Sequence, residues 1–160
     1  MFNIGDKVVY PMHGAGTIVA IEEREILGKK HKYYIILLPI NRLKVMVPVK
    51  NADAAGLRNI LEVEDMEKVL TALSSDVIMK MPKNWNRRYK FNLERIKSGD
   101  LMEIADVIKS LEKLDTKKSL STGERKILTE ARSIIISEMA LVFDKEVEEV
   151  VSMVDEAIFG

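Results

Sequence analysis

The chain has 160 residues, 47% of them apolar, which allows one domain or two small ones with a real core. It has no cysteine, which excludes disulfides and thiolate metal sites and fits a reducing cytosol. Its 25 basic and 25 acidic residues cancel, but they are segregated along the chain. Residues 1–6 lack the charged-then-apolar pattern of a secretory signal, and no apolar run approaches the ~20 residues of a membrane helix. The expectation is a soluble cytoplasmic protein with no membrane partner.

Residues 1–50 carry eight basic and four acidic groups and read as β structure. Residues 6–11 form a short strand stopped by Pro11. His13-Gly14-Ala15-Gly16 reads as a turn whose glycines supply positive φ or close packing. Residues 17–22 are rich in β-branched side chains, and residues 27–30 give a hairpin signal. Residues 32–38 are the strongest strand, and residues 43–48 alternate clearly. Strands this short and this close predict a small twisted barrel of the SH3 or Tudor sort. From residue 51 the period becomes helical. Helices are expected over residues 64–73, 84–97, 100 onward, 121–143 and 144 onward, with an irregular stretch around Pro82. Gly99 ends the second helix, Asp100 and Glu103 form a capping box for the third, and Ser121 and Glu124 form one for the fourth. The last helix should turn Val147, Val150, Val151, Val154 and Ile158 inward. The fold class is therefore α+β: an N-terminal β-barrel over residues 1–53, then an all-helical bundle over residues 54–160.

Residues 83–97 hold six cations and one anion, whereas residues 144–160 hold one cation and six anions. The basic cluster surrounds the only tryptophan, in Asn84-Trp85-Asn86-Arg87-Arg88-Tyr89-Lys90. Two readings compete for Trp85. It falls on a stripe with Tyr89, Leu93 and Ile96, as a core residue would. It also lies in the first turn, where a helical side chain leans back past the helix end and can project among Arg87, Arg88 and Lys90 as a wedge for nucleic acid. The cations read either as a solvated face or as phosphate contacts. Ser121-Thr122-Gly123-Glu124-Arg125-Lys126 is a second candidate phosphate contact, although an ordinary cap also explains its serine and glutamate. Arg24, Arg42, Lys44 and Met46 mark a strand face that could meet a protein partner or could guard an open edge. His13 and His31 lack the spacing of a metal site, Gly14-Ala15-Gly16 lacks the rest of a phosphate loop, and no nucleophile–base or paired-carboxylate arrangement stands out. No enzyme activity, cofactor, metal or small-molecule substrate is expected.

Several motifs, in order, resemble the CarD/CdnL family of bacterial RNA polymerase-binding transcription regulators. They are residues 4–16, Val47-Pro48 followed by Asn51-Ala52, residues 84–90, Ser98-Gly99-Asp100 and residues 120–124. The resemblance covers nearly the whole chain. It implies that residues 1–53 are a Tudor-like domain that binds the polymerase β subunit by strand pairing. It implies that residues 54–160 contact promoter DNA at the upstream edge of the melted −10 region. There Trp85 would wedge into the minor groove and stabilise the open complex. Arg87 and Lys90 match DNA-contacting positions, Arg125 keeps a cation at a DNA-linked position, and Arg24 matches a polymerase-contacting arginine. Arg88 joins the DNA-binding set from its place in the basic cluster. The chain departs from some members at Met46, where they have a second polymerase-contacting arginine, and at Glu130, where they have a lysine. The implied protein is a monomer, associated with the nucleoid through polymerase. The alternative is a nucleic-acid-binding module that acts without polymerase.

Overall fold

Alternation in the first sixty residues produces a five-stranded antiparallel sheet, described with the rest of the chain, Met1 to Gly160, by a computed structural model. The strands are β1 (Lys7–Tyr10), β2 (Gly14–Ile26), β3 (Lys29–Leu37), β4 (Lys44–Pro48) and β5 (Arg58–Asn59), in the spatial order β4-β3-β2-β1-β5. The fifth strand lies beyond residue 53 and pairs with β1 through Val8 opposite Asn59 and Val9 opposite Arg58. Val8, Ile18, Tyr34, Ile36 and Val47 close the core of this sheet.

The glycine motif differs from its expected form. The turn after β1 is Pro11–Met12–His13, with Met12 at φ 72°, and Gly14 to Gly16 already belong to β2. Gly14 has the positive φ expected of it, 102°, and both glycines serve close packing. A Cβ on Gly16 would come within 2.6 Å of the Leu37 carbonyl oxygen and the Ile36 side chain on β3. The hairpin signal at residues 27–30 is met by a two-residue turn. Leu27 and Gly28 both have positive φ, 51° and 76°, as the right-handed twist of a tight hairpin demands.

The helices are α1 (Val63–Ser74), α2 (Trp85–Lys97), α3 (Leu101–Lys117), α4 (Thr122–Phe143) and α5 (Val147–Phe159). Ile104, Ile108, Leu111, Ile135, Met139, Val150 and Val154 anchor their shared core. The α+β organisation is the one the periodicity predicts, but two helix ends differ. Asp144 does not start the last helix. It adopts the left-handed conformation that closes α4, with φ 51°, a conformation short polar side chains tolerate. Asp100 caps α3 by accepting from the Met102 N–H at 2.9 Å, while its own N–H donates to Ser98 Oγ at 3.2 Å. Ser98 thus fills the place expected of Glu103 in a capping box.

Helix α4 ties the two parts together. It packs against α1, α2, α3 and α5 and also against β2. The Ala15 N–H donates to Ser137 Oγ at 2.9 Å, and Gly14 leaves the space that Ser137 occupies. Gly16→Ala should destabilise the protein by about 1–3 kcal/mol, because the added methyl meets the Leu37 backbone as well as the buried Ile36 side chain. Urea unfolding measures this, and an unchanged midpoint would contradict it.

Candidate functional site

Helix α2 begins because Asn84 caps it, accepting the Arg87 N–H at 3.2 Å. Trp85 is therefore its first residue, and it is 55% exposed. It meets Tyr89 edge to face, with centroids 6.4 Å apart. Tyr89 and Leu93 are half-buried against the bundle, and Ile96 is fully buried. The stripe read from the sequence exists, but its first member extends past the core. Burial does not explain Trp85.

Arg87 and Lys90 are exposed on the same helix. Arg88 is not, and its place in the DNA-binding set is corrected by its surroundings. The buried line of α2 runs through Arg88, Asn92 and Ile96, a spacing of four along the helix. The Arg88 guanidinium meets the Glu124 carboxylate in two-pronged fashion, Nε to Oε2 at 2.5 Å and Nη2 to Oε1 at 3.0 Å. Nη1 donates to the Lys83 carbonyl at 3.1 Å. A guanidinium only 9% exposed, with three of its five N–H donors held inside the fold, is badly placed to meet a phosphate.

Glu124 also completes the cap of α4. Ser121 Oγ accepts the Glu124 N–H and donates to its Oε1, each at 3.2 Å. The hydrogen bonds from Arg88 hold the Glu124 carboxyl below the usual carboxylate range, against the opposing effect of burial. The pair draws the first turns of α2 and α4 together. Arg125, the next residue, points outward and meets Asp115 at 3.3 Å with half its side chain exposed. Glu130 lies 4.0 Å from Lys126 on the exposed side of α4. Trp85, Arg87, Lys90 and Arg125 thus remain accessible at the α2–α4 end of the bundle.

The sheet carries the second candidate surface. Arg24 lies opposite His31, Glu22 opposite Tyr33, and Met46 opposite Ile35. Strand alternation puts all six on one face, the reverse of the face formed by Tyr34, Ile36 and Val47. Arg24 is held by Glu22 at 2.9 Å and stays more than half exposed, while Met46 is 40% exposed. Beside Met46, the outer edge of β4 has no partner strand.

Two groups of residues escaped the sequence reading. Arg58 and Glu138 form a two-pronged pair at 2.9 and 3.0 Å between β5 and α4. Arg132 on α4 joins Glu112 of α3 to Asp155 of α5 at 3.4 and 2.5 Å. Each pair spans twenty or more residues, so helical spacing could not reveal it. No group of three histidine, cysteine or acidic side chains is placed to hold a metal ion, and no helix is long and apolar enough to cross a membrane.

Comparison with known proteins gives two family matches that follow the same two parts. Residues 2–61 match the CarD-like/TRCF RID domain, and residues 68–155 match the CarD C-terminal domain. The chain is also similar to the "Putative transcription factor YdeB" of Bacillus subtilis (strain 168). The two are 36% identical over 145 residues, which cover 89% of this chain and 92% of that protein.

The geometry separates two neighbouring arginines sharply. Arg88→Ala leaves Glu124 buried without its cation and should cost about 3–5 kcal/mol of stability. Arg87→Ala should change stability by less than about 0.5 kcal/mol. Thermal or urea unfolding of the two variants checks this, and equal effects would contradict it. Glu124 also predicts a pH dependence. An acid whose folded pKa is lowered stabilises the fold above its unfolded value of about 4.3, and the contribution fades as pH falls through the lower folded value. Glu112, shifted upward chiefly by its burial, opposes part of that loss. Stability of Glu124→Gln, followed by urea unfolding across acid pH, should therefore fall less steeply below pH about 4.3 than that of the native chain. A parallel profile would contradict the assignment.

Proposed function

The chain belongs to the CarD family of transcription regulators, and from that premise we propose that it joins RNA polymerase to promoter DNA and favours the open complex. In this reading the sheet face around Arg24 and the free edge of β4 dock on the polymerase β subunit. Strand addition supplies main-chain hydrogen bonds there, and the face supplies selectivity. Met46 contributes apolar contact where some relatives have an arginine. The α2 tip lies against the upstream edge of the melted −10 region, with Trp85 as the wedge. Arg87, Lys90 and Arg125 meet phosphates.

The observation that carries this reading is the exposed Trp85 ring at a capped helix tip with free cations beside it. The effect requires differential affinity. A ring that inserts at an unstacked or distorted step binds melted DNA better than closed duplex, and only that difference shifts the population. Phosphate contacts add affinity without reading sequence, so promoter choice rests with polymerase and with the deformability of the bubble edge. A neutral chain with three exposed cations at the tip would bind linear duplex weakly alone, so polymerase supplies the local concentration. The protein acts as a monomer in the cytoplasm and catalyses no reaction.

Trp85 is the only tryptophan, so its emission reports one position. The free protein should show solvent-exposed emission, unchanged by linear duplex or by polymerase alone, that shifts when polymerase and a forked promoter are both present. No shift in the complete mixture would contradict the wedge. A shift with duplex alone would favour a module that acts without polymerase.

A further inference from the structure

We propose that α4 is a rigid spacer that sets the distance between the sheet face and the Trp85 tip, and that Glu138 is the residue that fixes that geometry. The inference rests on the reading of those two surfaces given above. Glu138 is 0% exposed, yet its carboxylate is fully engaged. It accepts from Arg58 Nη1 at 3.0 Å and Nη2 at 2.9 Å, and from the Leu61 N–H at 2.8 Å. Arg58 lies in β5, and Leu61 lies in the short connection between β5 and α1. The only covalent link between sheet and bundle is therefore pinned at the point where a hinge would otherwise fall.

Ser137, the adjacent residue, accepts the Ala15 N–H of β2 at 2.9 Å and donates to the Ile134 carbonyl at 2.9 Å. The sheet is thus held to α4 from two strands at once. At the other end of α4, Glu124 grips Arg88 and with it the first turn of α2. Glu138 lies fourteen helical steps after Glu124, with no glycine or proline between them. That places them about 21 Å apart along the axis and within roughly 40° of each other around it. Two-pronged arginine–carboxylate contacts constrain direction as well as distance, which apolar packing does not. A wedge must meet one base step while its other anchor is held on polymerase, so the span between the surfaces has to be fixed.

Glu138→Gln is nearly isosteric and keeps an oxygen for the Leu61 N–H, but it breaks the two-pronged grip on Arg58. The chain has no cysteine, so spin labels at Lys7→Cys in β1 and Glu94→Cys in α2 report the span directly by electron–electron resonance in the full-length protein. The native background should give one narrow distance, and Glu138→Gln a broadened or displaced distribution. With polymerase and promoter, the unlabelled Glu138→Gln protein should bind polymerase with native affinity. Its open complexes should decay nearly as fast as those formed with Trp85→Ala. If Glu138→Gln does not fold, Ser137→Ala is scored by the same two readouts. A distribution with the native width and the native mean distance, or an undiminished open-complex lifetime with an altered one, overturns the spacer. If the native protein fails to bind polymerase while the distribution still broadens, the spacer geometry stands and the assignment of the two surfaces falls.

Discussion

Helix α4 has to bury two carboxylates, and the arrangement of the molecule depends on how each is neutralised. Glu124 and Glu138 are almost entirely removed from solvent. An ionised carboxylate left unpaired in such a place is strongly destabilising, so each requires a cation with well-matched donors. Arg88 answers one and Arg58 the other. The first pairing decides how α2 sits on the bundle, and therefore where its first residue points. The second decides how the sheet sits on the bundle. Neither pair is expected to add much stability over a well-packed apolar contact of the same volume. What each adds is direction.

This requirement divides the cations into two populations. Arg58, Arg88, Lys109 and Arg132 are held by carboxylates or carbonyls inside the fold. Arg87 and Lys90 are exposed on α2, and Arg125 and Arg24 are exposed with only surface partners. The second population sits beside Trp85 or on the outer face of the sheet. A net charge of zero therefore says little about how the protein meets a polyanion, because what matters is which cations are exposed and where they sit. The proposed division of labour follows. Polymerase supplies affinity through the sheet, the few free cations orient the tip, and the indole discriminates between DNA states.

Much of this was readable from local pattern. Alternation located the strands of the sheet's first four members, and the 3.6-residue period located all five helices, because both signals lie within a few neighbouring residues. The first-turn position of Trp85 raised its projection from the core stripe, and the cap at Asn84 fixes that position. The failures share a cause. Arg88 looked like a member of the basic cluster because its partner, Glu124, lies 36 residues away. Glu124 looked like an ordinary capping residue for the same reason. The Ala15–Ser137 bond spans 122 residues and the Arg58–Glu138 pair spans 80, so no periodicity marks them. Gly14 and Gly16 signal tight backbone correctly: neighbouring elements crowd both, and Gly14 also has a positive φ where it follows the turn. Asp144 signalled a helix end, and only the backbone conformation shows which helix it ends.

The central claim is that the indole of Trp85 holds the melted state rather than merely adding contact area. The decay of polymerase–promoter open complexes after a competitor challenge tests it most directly, with native protein, Trp85→Ala or no added protein, each at saturating concentration. The account predicts that native protein slows the decay and that Trp85→Ala loses most of that effect while still occupying polymerase. Equal decay rates with native protein and Trp85→Ala would contradict it.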